Sequence, residues 1–184
     1  MLFEANDLKT HCSKHFTFAD FIHCGETQAK LRIPNLPESV ETIQAIKKHA
    51  TLILDPIFEK FGPLNLTYGL CTQQLKVKIP ARAAPKVDQH ASYELNSRGN
   101  LICNRGGIAA DFLVPDLFSW KLACFVVQEL PFDRLYYYGS DKPIHVSWSS
   151  IPCGQIILMM PNKRGHKTPK RINKHRFQES HPGF

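Results

Sequence analysis

At 184 residues and 43% hydrophobic content, the chain has the size and composition of one domain with a buried core, which excludes a disordered or fibrous protein. Its formal charge of +7 is uneven: residues 161–184 hold Lys163, Arg164, Lys167, Lys170, Arg171, Lys174 and Arg176 against Glu179 alone, so the remainder is close to neutral. No apolar run approaches the roughly 20 residues that cross a bilayer. The start carries Glu4 and Asp7 and lacks a basic segment followed by an apolar stretch, so no export signal is expected; the six cysteines include no CxxC pair, and a cytoplasmic location with reduced thiols is expected.

In chain order, residues 1–16 read as a loosely held arm. Thr17 and Asp20 form a capping-box pattern that opens a short helix through Phe18, Phe21 and Ile22. A longer helix is expected from Glu38, with Val40, Ile43, Ile46 and Ala50 at helical spacing and a kink or restart at Pro56. Leu64 to Tyr68 alternates as a strand. Cys71 to Gly106 is a long stretch without periodicity, the mark of a functional loop. Ile108 to Val114 reads as a buried strand, and Asp116 with Ser119 as the cap of a helix that Pro131 stops. Leu135 to Tyr138, Ile144 to Trp148 and Ile156 to Met160 are further strands. Helices first and strands later predict an α+β fold with an antiparallel sheet packed against helices.

Three separated pieces carry donors: Asp88-Gln89-His90, Gly107-Ile108-Ala109-Ala110-Asp111 and Ile144-His145-Val146-Ser147-Trp148. Two imidazoles and a carboxylate, with a fourth position left open, make the ligand set of a catalytic zinc site; a structural site closes all four positions. His90, Asp111 and His145 are therefore the candidate Zn2+ ligands. His11, Cys12, His15, His23 and Cys24 form a second group of donors, but their spacing fits no zinc pattern.

The order His, Gly-x-Ala-x-Asp, then His-Val-Ser on a late strand resembles the zinc D-alanyl-D-alanine carboxypeptidases and related phage endolysins. That resemblance implies the hedgehog/DD-peptidase fold. Phe16 to Phe21, Leu31-Arg32-Ile33-Pro34-Asn35, Leu54-Asp55-Pro56-Ile57 before Phe61-Gly62, and Leu130 to Leu135 resemble further landmarks of that family, in its order. The resemblance covers roughly residues 16 to 150. It implies a zinc domain over 17–160 that hydrolyses peptidoglycan-type peptides, with the metal polarising a carbonyl and a carboxylate handling the proton.

The chain also departs from the family pattern. The family's short His-x-x-Gly spacing is expanded by an insertion between His90 and Gly107, which can loop out at small entropic cost. Its Ser before the first His is Asp88, which either orients an imidazole or is a solvated loop charge. The family's substrate-gripping arginine is absent from Tyr68-Gly69-Leu70-Cys71-Thr72, leaving Arg82 or Arg105 as candidates. No Glu precedes His145. Asp141 is the first candidate for the base and Asp133 the second, and Tyr138 either donates to an oxyanion or packs as part of an alternating strand. The basic tail, residues 161–184, is suited to phosphates of nucleic acid or to another anionic polymer, or is simply solvating. With the Glu and Arg missing, a non-hydrolytic zinc-binding accessory module of the same fold is the alternative.

Overall fold

The computed structural model describes residues 3–79, 88–161 and 167–180. Its first third is helical: a 3-10 turn (Ala5–Lys9), then α1 (Phe18–Ile22), α2 (Gly25–Leu31), α3 (Val40–His49), a widened turn (Ala50–Leu54) and α4 (Asp55–Phe61). Thr17 and Asp20 exchange side-chain and backbone bonds at the start of α1, the reciprocal capping expected. Ser39 caps α3 by accepting from the Thr42 amide at 3.0 Å, so that helix begins at Val40. Pro56 sits in the first turn of α4, where a missing N–H is tolerated, and the widened turn before it absorbs the break.

The N-terminal arm is not loose. Cys12 and Phe16 are buried in the main core, and the Asp55 carboxylate accepts from the Ser13 hydroxyl and from the backbone amides of Lys14 and His15. A polar, weakly patterned segment gave no sign of that, because backbone amides supply two of the three hydrogen bonds to Asp55.

The remaining elements are β1 (Asn65–Tyr68), α5 (Gln73–Lys76), β2 (Ile108–Leu113), α6 (Ser119–Glu129), β3 (Arg134–Tyr137), β4 (Ile144–Trp148), β5 (Gln155–Pro161), β6 (Lys167–Ile172) and α7 (Lys174–Ser180). The strands form one mixed six-stranded sheet in the order β1-β2-β4-β3-β5-β6, and the fold is α+β. The expected antiparallel sheet needs correction at one pairing, because β3 and β5 run parallel. β3 and β4 are antiparallel, and the chain reverses again after β4. β5 therefore runs opposite to β4 and along the free edge of β3.

Side chains alternate between the two faces. Ile108, Ala110, Phe112, Ile144, Val146, Leu135 and Ile156 share the apolar face and join the main core, against which α3 and α6 pack. His49 of α3 lies fully buried there, with Nε2–H donating to the Val146 carbonyl at 3.0 Å. Two sequence expectations fail on this side. Asp116 does not cap α6; it adopts a positive φ of 60°, and Phe118 holds the N-cap position. Residues 167–180 are not a free tail. β6 pairs with β5 from Ile156↔Ile172 to Pro161↔Lys167, and α7 buries Phe177 completely. β6 is an edge strand exposed along most of its length, so no apolar alternation announces it.

Candidate metal centre

The face of the sheet turned away from α3 and α6 carries the candidate ligands. Asp111 of β2 and His145 of β4 are direct cross-strand partners, and His145 Nδ1 lies 2.8 Å from Asp111 Oδ1. His90 arrives from a 3-10 turn (Gln89–Ala91) and places Nε2 3.1 Å from His145 Nδ1 and 3.2 Å from Asp111 Oδ1. Among the described residues this is the one grouping of three or more His, Cys, Asp or Glu donors close enough to share an ion. The N-terminal histidines and cysteines do not assemble into one.

Each ligand is placed by its surroundings. His90 Nδ1–H donates to the Gly69 carbonyl at 2.8 Å, which fixes the tautomer and turns the Nε2 lone pair toward Asp111 and His145. Gly69 has to be glycine, because a Cβ there would stand 2.0 Å from the Phe21 carbonyl oxygen. Asp88 caps the turn by accepting from the His90 amide at 3.2 Å, so it orients the histidine through its backbone. Gly107 likewise admits no side chain: at φ +72° a Cβ would lie 1.8 Å from the Trp148 carbonyl oxygen. That close approach brings the inserted loop down onto β4.

Beneath the ligands a buried polar network ties the loop to the sheet. Gln89 donates to the Gly106 carbonyl and to Asp133, both at 3.0 Å, and accepts from the Ser147 hydroxyl at 2.8 Å. Asp133 is fully buried; it takes two bonds from the Arg105 guanidinium and one from the Cys153 amide. Burial pushes the Asp133 carboxyl up, but Arg105 and the other donors outweigh it and hold the group down at about 2. Asp133 is thus a structural anion and not a base, and Arg105 is its partner and not a substrate clamp.

The three-donor cluster passes a simple test of fit for zinc. Four-coordinate zinc, with bonds of about 2.0–2.2 Å, sets its ligand atoms about 3.3–3.5 Å apart. The separations here fall only a few tenths of an ångström short of that. The Nε2 lone pair of His90 facing a carboxylate oxygen is repulsive unless a proton or a cation stands between them. Burial pushes the Asp111 carboxyl up, yet the facing His90 and His145 rings prevail and hold it well below the usual carboxylate range. The donors are a partly buried carboxylate and two imidazoles, a set that suits a borderline cation.

Tyr136 is the cross-strand partner of His145, their rings meeting edge-on at 5.0 Å, and Tyr68 meets His90 in the same way at 4.7 Å. Burial, followed by the charge of Asp111 and the neighbouring Tyr136 and Asp88, pushes the Tyr138 hydroxyl well above its ordinary value, so it keeps its proton as a donor. Asp141 lies on the turn before β4, its side chain 77% exposed and paired with Lys142 at 2.9 Å. Arg82 lies outside the described residues. The Gly69 carbonyl and the Gln89–Asp133–Arg105 network were missed by sequence reasoning. The adjacency of Gln89 to His90 was the one available signal.

Compared with protein families, curated proteins and solved structures, the chain matches none. No helix among the described residues is long and apolar enough to cross a membrane. What stands on geometry is a His–Asp–His group able to hold a metal ion, set on the sheet face opposite the helices.

Proposed function

We propose that the protein is a zinc-dependent metallopeptidase with the hedgehog/DD-peptidase fold, resembling D-Ala-D-Ala carboxypeptidases and endolysins and acting on peptidoglycan-type peptides. The observation that carries this reading is the convergence of His90, Asp111 and His145 on one point, in the chain order that the resemblance implies. When bound there, zinc supplies Lewis-acid polarisation of a carbonyl and lowers the pKa of water. The chain's own contribution is positional. Gly69 and Asp88 fix His90, the β2–β4 pairing fixes Asp111 against His145, and Tyr138 keeps a proton to offer to a developing oxyanion. Asp141 is the carboxylate assigned to proton transfer.

One observation favours a second reading. Asp141 faces solvent and is engaged by Lys142, while β6 and α7 present Lys167, Lys170, Arg171, Lys174 and Arg176 to solvent. Those features fit a non-hydrolytic zinc-binding accessory module that contacts nucleic acid through residues 161–184.

The test has two parts. Purified protein is expected to hold about one zinc per chain, measured by elemental analysis, and to lose it on His90→Ala or His145→Ala. Zinc-loaded protein incubated with wall peptides is expected to release new amine ends, and Asp141→Asn is expected to abolish that release. Failure to bind zinc ends both readings. Binding without cleavage, together with salt-sensitive retention on DNA, selects the second.

A further inference from the structure

Asn104 and Arg105 from the inserted loop, together with residues 149–153 after β4, line a cavity of about 410 Å3. Cys153 is part of that lining and is the exposed one of the six cysteines; the other five are buried. Burial pushes the thiols of Cys12, Cys103 and Cys124 up, Cys12 to about 12, so those three are protonated as well as hidden. The Cys153 thiol is held in place. Its Sγ–H donates to the Asp133 carbonyl at 3.2 Å, and its amide donates to Asp133 Oδ1 at 2.9 Å.

A thiol alone is not a site, but this one has donors beside it. Ser149 also lines the cavity; it is 4% exposed, and its hydroxyl is bonded to nothing among the described residues. A buried hydroxyl left unpaired is unfavourable, and an oxygen of a ligand relieves it. Asp133 takes the Nε and Nη2 donors of Arg105, which leaves Nη1 uncommitted on a side chain 28% exposed. The Asn104 amide adds a further donor to the lining. Hydroxyl, guanidinium and amide donors next to a thiol fit a carboxylate tethered to a sulfur.

The geometry points to a modification site: the cavity takes a small carboxylate-bearing disulfide, and Cys153 captures half of it as a mixed disulfide. The Cys153 thiol gives up its proton, and its sulfur attacks one sulfur of the incoming disulfide. The S–S bond of the reagent breaks as the new bond to Sγ forms, and the departing thiolate leaves with the proton as a free thiol. The disulfide is itself the oxidant, so no other is required. Because Asp133 already offsets the charge of Arg105, the carboxylate is held by hydrogen bonds and the selectivity is modest. None of the candidate metal ligands lines this cavity, so the inference stands apart from the peptidase reading.

The experiment treats the full chain with oxidised glutathione, which carries carboxylates, or with the neutral hydroxyethyl disulfide. Adducts are timed by intact mass and placed by peptide mapping. Each rate is divided by that of a free peptide spanning residues 151–155, which removes the intrinsic reactivity of the reagent. Cys153 is expected to react before any other cysteine, reversibly with dithiothreitol, and Cys153→Ser to take up neither reagent on the same timescale. After normalisation, wild type is expected to favour oxidised glutathione by about fivefold, the worth of one hydrogen bond. The double variant Asn104→Ala/Ser149→Ala is expected to lose most of that preference while its rate with hydroxyethyl disulfide stays unchanged. Ser149→Ala is also made alone, because its hydroxyl has no partner to lose and the fold should tolerate the change. Equal normalised rates in wild type overturn the site, as does a preference undiminished in both variants. An adduct that forms first on one of the buried cysteines overturns it as well.

Discussion

Phe112 and Asp111 are neighbours on β2, yet Phe112 is completely buried against the helices while Asp111 takes two imidazoles on the opposite face. The same contrast repeats on β4, where Val146 joins the apolar core and His145 joins the cluster. The apolar face is held by side chains that need only fill space. The face that carries the candidate ligands is held by directional contacts, each with a named partner: Gly69 for His90, Gln89 for Ser147, Arg105 for Asp133. Tolerance to substitution should therefore differ between the faces in kind as well as in degree.

The sharpest way to break that contrast is to change the two neighbours separately. Phe112→Ala is expected to cost about 3–5 kcal/mol of folding stability, measured by urea unfolding, and to leave zinc stoichiometry intact in the molecules that remain folded. Asp111→Asn is expected to abolish zinc retention while shifting the metal-free unfolding midpoint little. Next in size is Asp133→Asn, which leaves Arg105 facing an uncharged amide and is expected to cost about 3 kcal/mol, the lower end for breaking a buried pair because Arg105 is partly exposed. Since Gln89 bonds Asp133 and adjoins His90, the same variant is expected to weaken zinc binding by about tenfold or more in a chelator competition.

The helix-packed face was legible in the sequence where periodicity and caps were strong. β4 spans Ile144–Trp148 as the alternation indicated, Thr17 and Asp20 cap as their spacing required, and the chain restarts at Pro56. The three candidate ligands were legible because their residue types are costly to bury without a purpose. What lay outside reach depended on backbone atoms or on edges. The Gly69 carbonyl that orients His90 carries no side-chain signal, and the parallel β3–β5 pairing depends on the path of the return after β4. β6 reads as a solvated basic tail because an edge strand with Lys, Thr and Arg has no buried face to declare.

The smallest expected effect concerns a histidine on the helix-packed face. Burial, only partly offset by its bond to Val146, depresses the His49 ring to about 4 from an ordinary 6.5. The unfolded chain therefore binds a proton that the folded chain refuses between those values. The stability gained by keeping His49 neutral is fully present above pH 6.5 and is lost as pH falls toward 4. By pH 5 the loss should reach about 2 kcal/mol. His49→Gln is expected to flatten that limb of a stability–pH curve measured by denaturant titration. An unchanged curve would place the acid sensitivity on the opposite face of the sheet instead.

The direct pairing of Asp111 with His145 has a consequence for how the sheet reaches its final arrangement. A slip of one residue between β2 and β4 exchanges the two faces, turning Asp111 toward the helices and Phe112 toward solvent. Chelation is possible only when both strands stand in the correct register, so an ion held there adds its binding free energy to that alignment and to no slipped one. With an ion bound, the centre would double as a proofreader of strand alignment, rewarding the single pairing in which imidazole and carboxylate meet.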